Sequence, residues 1–236
     1  MSNCLLCHAY FEEVHSWGTL FTLKEPDPIC STCSEKFEKI VGELCTICGR
    51  PFSALSNEYR EGEMCYDCIR WENASEWQGV LTKNRSLYLY NDYAKEVISL
   101  YKFRGDYVLS TVFKTPLHQT FKTYFNSSYL IVPIPLSEER LYERGFNQAT
   151  ALALLLDLPV HEVLSRTHLE KQSKKNRNER MESENVFRLF DDTIVEEKDI
   201  LLIDDIYTTG TTLRHAGKML LENGAKTVSS LTLMRG

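Results

Sequence analysis

Four CxxC pairs constrain what this chain can fold into more than any other feature of its sequence. The eight cysteines, Cys4, Cys7, Cys30, Cys33, Cys45, Cys48, Cys65 and Cys68, all fall in the first 68 of 236 residues, and the remaining 168 hold none. Intervals of 22, 11 and 16 residues separate the pairs. A CxxC hairpin sets two thiolates at one edge of a tetrahedron and a second hairpin completes it, so the pattern predicts two structural zinc ions, each held by four sulfurs. Iron–sulfur ligation and a redox CxxC are the competing readings, although four copies make little sense for a redox motif. Disulfides would need export, and the start MSNCLLCHAY has neither the basic end nor the apolar run of a signal peptide. Two pairings of the hairpins are open. Sequential ribbons would join Cys4, Cys7, Cys30 and Cys33 at one ion and Cys45, Cys48, Cys65 and Cys68 at the other, whereas a cross-braced module would alternate the pairs. Each half is ribbon-sized, which favours the sequential pairing. Gly49, just after the third hairpin, predicts a turn with positive φ. So small a module buries too little apolar surface to fold alone, so metal would supply much of its folding free energy.

A length of 236 residues suits two unequal domains, expected at 1–78 for the zinc-ribbon module and 79–236 for the rest. Hydrophobic residues at 43% and charged ones at 25% exclude wholesale disorder and collagen-like or coiled-coil composition. The longest apolar stretch, around Ala149–Leu156, is far short of the ~20 residues that cross a bilayer. The expectation is a soluble, cytoplasmic protein with no membrane span. Its charge is uneven. Residues 1–78 carry 13 acidic and 6 basic side chains, whereas residues 79–236 carry 20 and 21. Phosphate contact needs clustered Lys and Arg. The acidic ribbons therefore read as a scaffold or protein-docking module rather than a nucleic-acid grip. One basic concentration does exist: Arg166, Lys171, Lys174, Lys175, Arg177 and Arg180 against Glu170 and Glu179. That stretch has little apolar periodicity and reads as a surface loop, either simply solvated or closing as an anion-binding flap over a nearby site.

After Trp71 and Trp77 the pattern changes to alternating strands and helices. Ser86–Tyr90 alternates as a strand, and Tyr93, Ala94, Val97, Ile98 and Tyr101 fall at helical spacing behind a cap at Asn91 or Asp92. Val108, Leu109, Val112 and Phe113 predict a helix that Pro116 interrupts. Tyr129–Ile134 predicts a short buried strand and Asn147–Leu156 a helix. Strands at Ile200–Asp204 and Val228–Met234 flank a helix from about Thr211 to Asn223, with Gly224 at its left-handed C-terminus. This order predicts a parallel α/β sheet with right-handed crossovers.

The segment Asp199–Leu213, DILLIDDIYTTGTTL, carries the chemistry. Ile200–Ile203 reads as a fully buried strand, with Asp204 and Asp205 at its carboxyl end, where ligands bind in open α/β sheets. Thr208, Thr209, Gly210, Thr211 and Thr212 then open a helix. Threonine hydroxyls and helix-start amides make an anion cradle, and Gly210 permits close approach. Phosphate at the loop with vicinal hydroxyls at the carboxylates describes a ribose 5-phosphate. An acidic strand end before an ordinary Thr-rich cap is the plainer alternative.

LLIDDIYTTGTT closely resembles the phosphoribosyl-pyrophosphate (PRPP) loop of type I phosphoribosyltransferases. Tyr207 stands where the general pattern has an aliphatic residue, a departure that the ComF/ComFC branch of competence proteins shares. KFRGD at Lys102–Asp106, VPIPLSEERLYERGFNQA at Val132–Ala149 and LSRTHLEKQSKKNRNERMESENVF at Leu164–Phe187 are similar to further signatures of that family. With the cysteines, the resemblance covers nearly the whole chain. It implies an α/β fold: a type I phosphoribosyltransferase-like parallel sheet domain behind a small double zinc-ribbon module. It also implies that Asp204 and Asp205 bind the ribose hydroxyls and that Thr208–Thr212 hold the 5-phosphate. Lys102, Arg140, Arg144 and Gly145 would form a pyrophosphate or DNA-backbone loop, and Arg166–Arg180 a flexible basic loop. Magnesium would accompany PRPP, held mostly by ligand and water.

A transferase also needs a pocket for its acceptor base, usually built by a hood segment. Here the zinc module takes that N-terminal place, and no feature reads a particular base, so fold alone leaves activity open. The resemblance implies a competence protein that handles incoming single-stranded DNA at the cytoplasmic side of the uptake machinery, with a ComFA-like helicase or translocase as partner. Tyr142, Phe146 or Tyr207 would stack on bases in that case, if they are not core residues. A working phosphoribosyltransferase, and an adaptor regulated by PRPP, are the alternatives.

Overall fold

The computed structural model describes residues 2–12, 27–103, 106–166 and 186–236. The chain begins with a two-stranded antiparallel hairpin, β1 (Ser2–Asn3) and β2 (Tyr10–Phe11), followed by the short α1 (Ser31–Glu35). A second hairpin, β3 (Arg60–Glu61) and β4 (Met64–Cys65), leads into α2 (Tyr66–Asn73). These pieces place the cysteines in two sets, Cys4, Cys7, Cys30 and Cys33 in one and Cys45, Cys48, Cys65 and Cys68 in the other. The pairing is therefore sequential. Gly49 has φ +67°, and a Cβ there would lie 2.9 Å from the carbonyl oxygen of Asn84, so only glycine lets the third hairpin turn against the next strand.

The remaining elements are β5 (Lys83–Leu89), α3 (Asp92–Phe103), α4 (Lys114–Tyr124), β6 (Leu130–Pro133), α5 (Glu138–Arg144), α6 (Gln148–Leu154), β7 (Leu164–Arg166), β8 (Phe187–Leu189), β9 (Asp199–Tyr207), α7 (Thr211–Glu222) and β10 (Thr227–Arg235). Four strands form one parallel sheet in the order β5-β10-β9-β6, which is the α/β architecture expected. Ile200, Leu201, Leu202 and Ile203 are fully buried because both faces of the sheet are covered. Leu201 and Ile203 join the core beneath α3, α4 and α6, whereas Ile200 and Leu202 join the one beneath α7 and the second cysteine set.

The outer strand β5 does not present a bare edge. Lys39, between the two cysteine sets, bridges antiparallel to Tyr88, and the Leu89 amide donates to the Glu38 carbonyl at 2.9 Å. Asn84 binds the second set to the sheet: its amide donates to the Ile47 carbonyl and its Nδ2 to the Cys48 carbonyl, while its Oδ1 accepts from Ser230. The ribbons are thus packed into the sheet domain.

Local caps follow the expected chemistry. Asn91 Oδ1 accepts from the Ala94 amide at the start of α3, and Asn147 Oδ1 from the Ala149 amide at the start of α6. Two expectations fail. Pro116 does not interrupt a helix; residues 107–113 form a 3₁₀ segment, and Pro116 lies in the first turn of α4, where a missing N–H costs nothing. The strand expected to end at Asp204 runs on to Tyr207, so both carboxylates lie within it. No helix among the described residues is long and apolar enough to cross a membrane.

Candidate functional site

The sheet ends in a cavity of about 200 Å³. Residues from five segments line it: Lys102 from α3, Arg140 and Arg144 from α5, Arg166 from β7, Asp204 and Asp205 from β9, and Thr208 and Thr212 at the start of α7. Arg140 and Arg144 are four apart on one helix, so they share a face. Ser137 Oγ caps that helix by accepting from the Arg140 amide, and Gly145 ends it with φ +77°. Gly145 shapes the helix end and does not itself line the cavity.

Charge balance in the cavity is cationic, four basic side chains against two carboxylates. Lys102 Nζ lies 2.6 Å from Asp205 Oδ2, both largely buried. Asp204 Oδ1 accepts from the Asp205 amide at 2.8 Å. Burial and then the neighbouring Asp205 push the Asp204 carboxyl up to about 7. Burial lowers the pKa of the Arg166 guanidinium, as does Arg140 beside it, and burial also lowers that of Arg144. Two desolvated guanidiniums beside a threonine-lined helix start favour an anion in this space. Arg144 is also held in place, donating to Gln148 Oε1 at 2.9 Å.

The threonine loop divides into two parts. Thr208 and Thr212 line the cavity, whereas Thr209 and Thr211 form a rim in which their hydroxyls hydrogen-bond at 2.8 Å. Gly210 is buried behind the loop with φ +77°, and a Cβ there would fall on the Tyr207 hydroxyl and the Arg214 guanidinium. Packing behind the loop therefore itself requires glycine at this position. Lys171, Lys174, Lys175, Arg177 and Arg180 lie outside the described residues.

The aromatic residues considered for base stacking separate clearly. Tyr207 is 2% exposed and accepts from Arg214 Nη1 at 2.9 Å, so it is a core residue and cannot stack on a base. Phe146 is half-buried against Tyr101 and Tyr107. Tyr142, on α5, is 92% exposed. Beside the cavity, sharing Pro135, Leu136, Asn147 and Arg166 with it, is a larger apolar hollow of about 430 Å³ that includes Tyr107, Phe146 and Phe190. No motif marks this hollow, because its lining comes from segments more than 80 residues apart.

Each cysteine set fits one tetrahedral ion. Within each set the Sγ atoms lie within 4.8 Å of one another. A tetrahedron of ~2.3 Å Zn–S bonds has edges of about 3.8 Å. The Cys7–Cys30 and Cys48–Cys65 Sγ separations are 3.8 and 3.6 Å. Amides of Cys7 and Cys65 point at the sulfurs of Cys4 and Cys45, a second layer of bonds that suits thiolates.

Comparison with known proteins agrees with this architecture. Residues 2–69 match the double zinc ribbon domain model, and residues 118–236 match the phosphoribosyl transferase domain model. Fold and cysteine sets thus define a phosphoribosyltransferase-fold protein carrying two zinc ribbons. The chain is 45% identical to competence protein ComFC of Bacillus subtilis (strain 168), over 98% of this chain and 94% of that one. It is 36% identical to competence protein ComFC of Streptococcus pneumoniae, over 99% of this chain and the whole of that one. The DNA utilization protein YhgH of Escherichia coli O157:H7 is 28% identical over 98% of this chain and 96% of its own length. The chain belongs to the ComFC family of competence proteins.

Proposed function

We propose that this protein works in DNA uptake during natural transformation, where it handles incoming single-stranded DNA, and that its cavity takes PRPP or a related sugar phosphate. The observation that carries this reading is the convergence of four cations, two carboxylates and two threonines from five segments at the end of one parallel sheet. The names of the competence and DNA utilization relatives supply the biological setting.

In this reading Asp204 and Asp205 accept hydrogen bonds from vicinal ribose hydroxyls. The start of α7, with Thr208 and Thr212, holds the 5-phosphate, and Arg140 and Arg144 meet the pyrophosphate. Magnesium would come with the ligand, held by its oxygens and by water, because Lys102 already compensates one of the two carboxylates. A DNA strand would lay phosphates along the same arginines, with a base in the adjoining apolar hollow or against exposed Tyr142. The basic segment through Lys171, Lys174, Lys175, Arg177 and Arg180 would extend the cationic track. A ComFA-like translocase at the cytoplasmic face is the partner expected for the acidic ribbons, residues 1–78.

The hollow also favours a second reading, since an acceptor seated there would make the protein a working phosphoribosyltransferase. Titration with magnesium–PRPP and with single-stranded DNA, separately and in competition, tests the first reading. Competition places both ligands in one groove, whereas failure of both to bind at low salt overturns the assignment. Pyrophosphate release from PRPP with a panel of acceptors tests the second.

A further inference from the structure

The second zinc ribbon reaches the back of the threonine loop. Arg235 Nη1 donates to the carbonyl oxygens of Tyr207 at 3.4 Å and Thr208 at 3.1 Å, while its Nη2 donates to Cys48 Sγ at 3.5 Å. The next carbonyl, that of Thr209, accepts from the indole Nε1 of Trp71 at 3.2 Å. Trp71 stands on α2 three residues after the ligand Cys68, one helical turn away, so metal binding at Cys68 fixes its place. Arg214 closes the set, with its guanidinium 4.7 Å from the Trp71 ring centroid and bonded to the Tyr207 hydroxyl.

The Thr208 and Thr209 carbonyls are therefore drawn towards the ribbon, while that of Tyr207 is fixed at the sheet end by the Gly236 amide at 2.9 Å. In a trans peptide unit the N–H points opposite to the C=O. Drawing back the carbonyls of Thr208 and Thr209 turns the amides of Thr209 and Gly210 to the other side. Successive N–H groups on one side form an anion-binding concavity. The cysteine set Cys4, Cys7, Cys30 and Cys33 has no such role: among the described residues, none of its members hydrogen-bonds to residues 207–210.

We propose that the Cys45, Cys48, Cys65 and Cys68 site is part of the anion-binding machinery, with Trp71 and Arg235 as positioning residues that couple its zinc to the phosphate loop. The proposal rests on the reading of Thr208–Thr212 as a phosphate site, and it makes the two zinc ions unequal. Loss of the second ion frees Cys48 and α2, loosens the hold on the Thr208 and Thr209 carbonyls, and lets the amides of Thr209 and Gly210 lose their common direction.

The test compares the full-length protein with Trp71→Phe, which keeps an aromatic ring under Arg214 but removes the donor to Thr209. Trp77→Phe is the control, because Trp77 packs edge-on against Trp71 while its indole nitrogen donates to no carbonyl of the loop. Two quantities are read: magnesium–PRPP affinity by calorimetry, and amide hydrogen exchange of residues 208–210 in the ligand-free protein. Trp71→Phe is expected to weaken PRPP about five- to tenfold and to speed exchange in the loop, with Trp77→Phe close to wild type in both. Cys68→Ser, read by metal content as well, should drop from two zinc ions per chain to one and lose most PRPP affinity. Unchanged affinity and exchange in Trp71→Phe would overturn the coupling, as would equal losses in Trp77→Phe. If wild type fails to bind PRPP, the phosphate reading falls, while loop exchange still decides whether Trp71 positions the loop.

Discussion

Lys102 and Asp205 form an ion pair of 2.6 Å between the last turn of α3 and the end of β9, with side chains only 17% and 12% exposed. The pair places a cation from one covering layer on a carboxylate from the central sheet. It leaves Asp205 Oδ1 as the oxygen open to a further donor. Its partner carboxylate, Asp204, has no ion pair of this kind among the described residues and instead accepts from the Asp205 amide. Two adjacent aspartates thus have different environments, and they should respond differently to mutation.

Lys102→Met leaves a mostly buried carboxylate without its cation. Breaking one side of a buried pair costs about 3 kcal/mol, well above the loss from an exposed pair. The expected outcome is a lower urea midpoint at pH 7.5 with an unchanged m-value. Adding Asp205→Asn to that variant should recover a large part of the loss. A double-mutant cycle with no coupling energy would mean the pair contributes nothing to the fold.

The raised Asp204 carboxyl predicts how PRPP binding depends on pH. Hydroxyl donors need the ionised form, and with a pKa of about 7 that form is the minor one at pH 6. Below pH 7 most binding events must expel a proton, so affinity should fall about fivefold from pH 7 to pH 6, and above pH 8 it should level off. Calorimetry from pH 6 to 8.5 measures this, in two buffers of different ionisation enthalpy to count the proton released. Asp204→Asn should bind weakly and show no slope over this range.

The parts of the site legible in the sequence are those that sit together in it. Asp204, Asp205, Thr208 and Thr212 lie within nine residues, and a buried strand running into a helix fixes their relation through backbone geometry. Arg140 and Arg144 needed only helical spacing to be brought to one face, although their meeting with Asp204 depends on packing. Trp71 was illegible as a loop contact because 138 residues separate it from Thr209, and nothing in a helix after CxxC says which carbonyl its indole will meet. Tyr207 misleads for a related reason: a tyrosine beside a phosphate loop suggests a stacking platform, but buried Arg214 claims its hydroxyl from the next helix. Pro116 misleads because a proline that opens a helix and one that ends it look alike until the preceding 3₁₀ segment is known.

Tyr142 and Tyr207 should separate cleanly in DNA binding. Tyr142 is exposed on α5, on the face opposite Arg140 and Arg144, so a strand that wraps over that helix would stack on it and Tyr142→Ala should then weaken single-stranded DNA by about tenfold, within the range for one stacked base. Tyr207→Phe removes a buried hydroxyl and takes one hydrogen-bond partner from the Arg214 guanidinium, which should cost about 1–3 kcal/mol of stability. Its DNA affinity, measured by fluorescence anisotropy well below the melting temperature, should stay within about twofold of wild type, since no face of the ring reaches solvent. A Tyr142→Ala protein that binds DNA like wild type would remove α5 from the strand's path.

Arg166 gives the most direct test of whether a phosphate backbone enters the cavity. Its guanidinium is half-buried, lies 5.7 Å from the Phe187 ring centroid, and lines both the cationic cavity and the apolar hollow. A side chain that neutralises one phosphate of a single strand releases its condensed counterion, and so contributes about 0.7 to the slope of log K against log salt. Arg166→Ala should therefore lower the slope by about that amount and weaken binding similarly for every sequence tried. Arg166→Lys keeps the charge and should restore the slope, but it cannot offer a planar fork and should recover only part of the PRPP affinity. A slope that stays the same in Arg166→Ala while PRPP binding is lost would confine the cavity to the small ligand and move the DNA to another face.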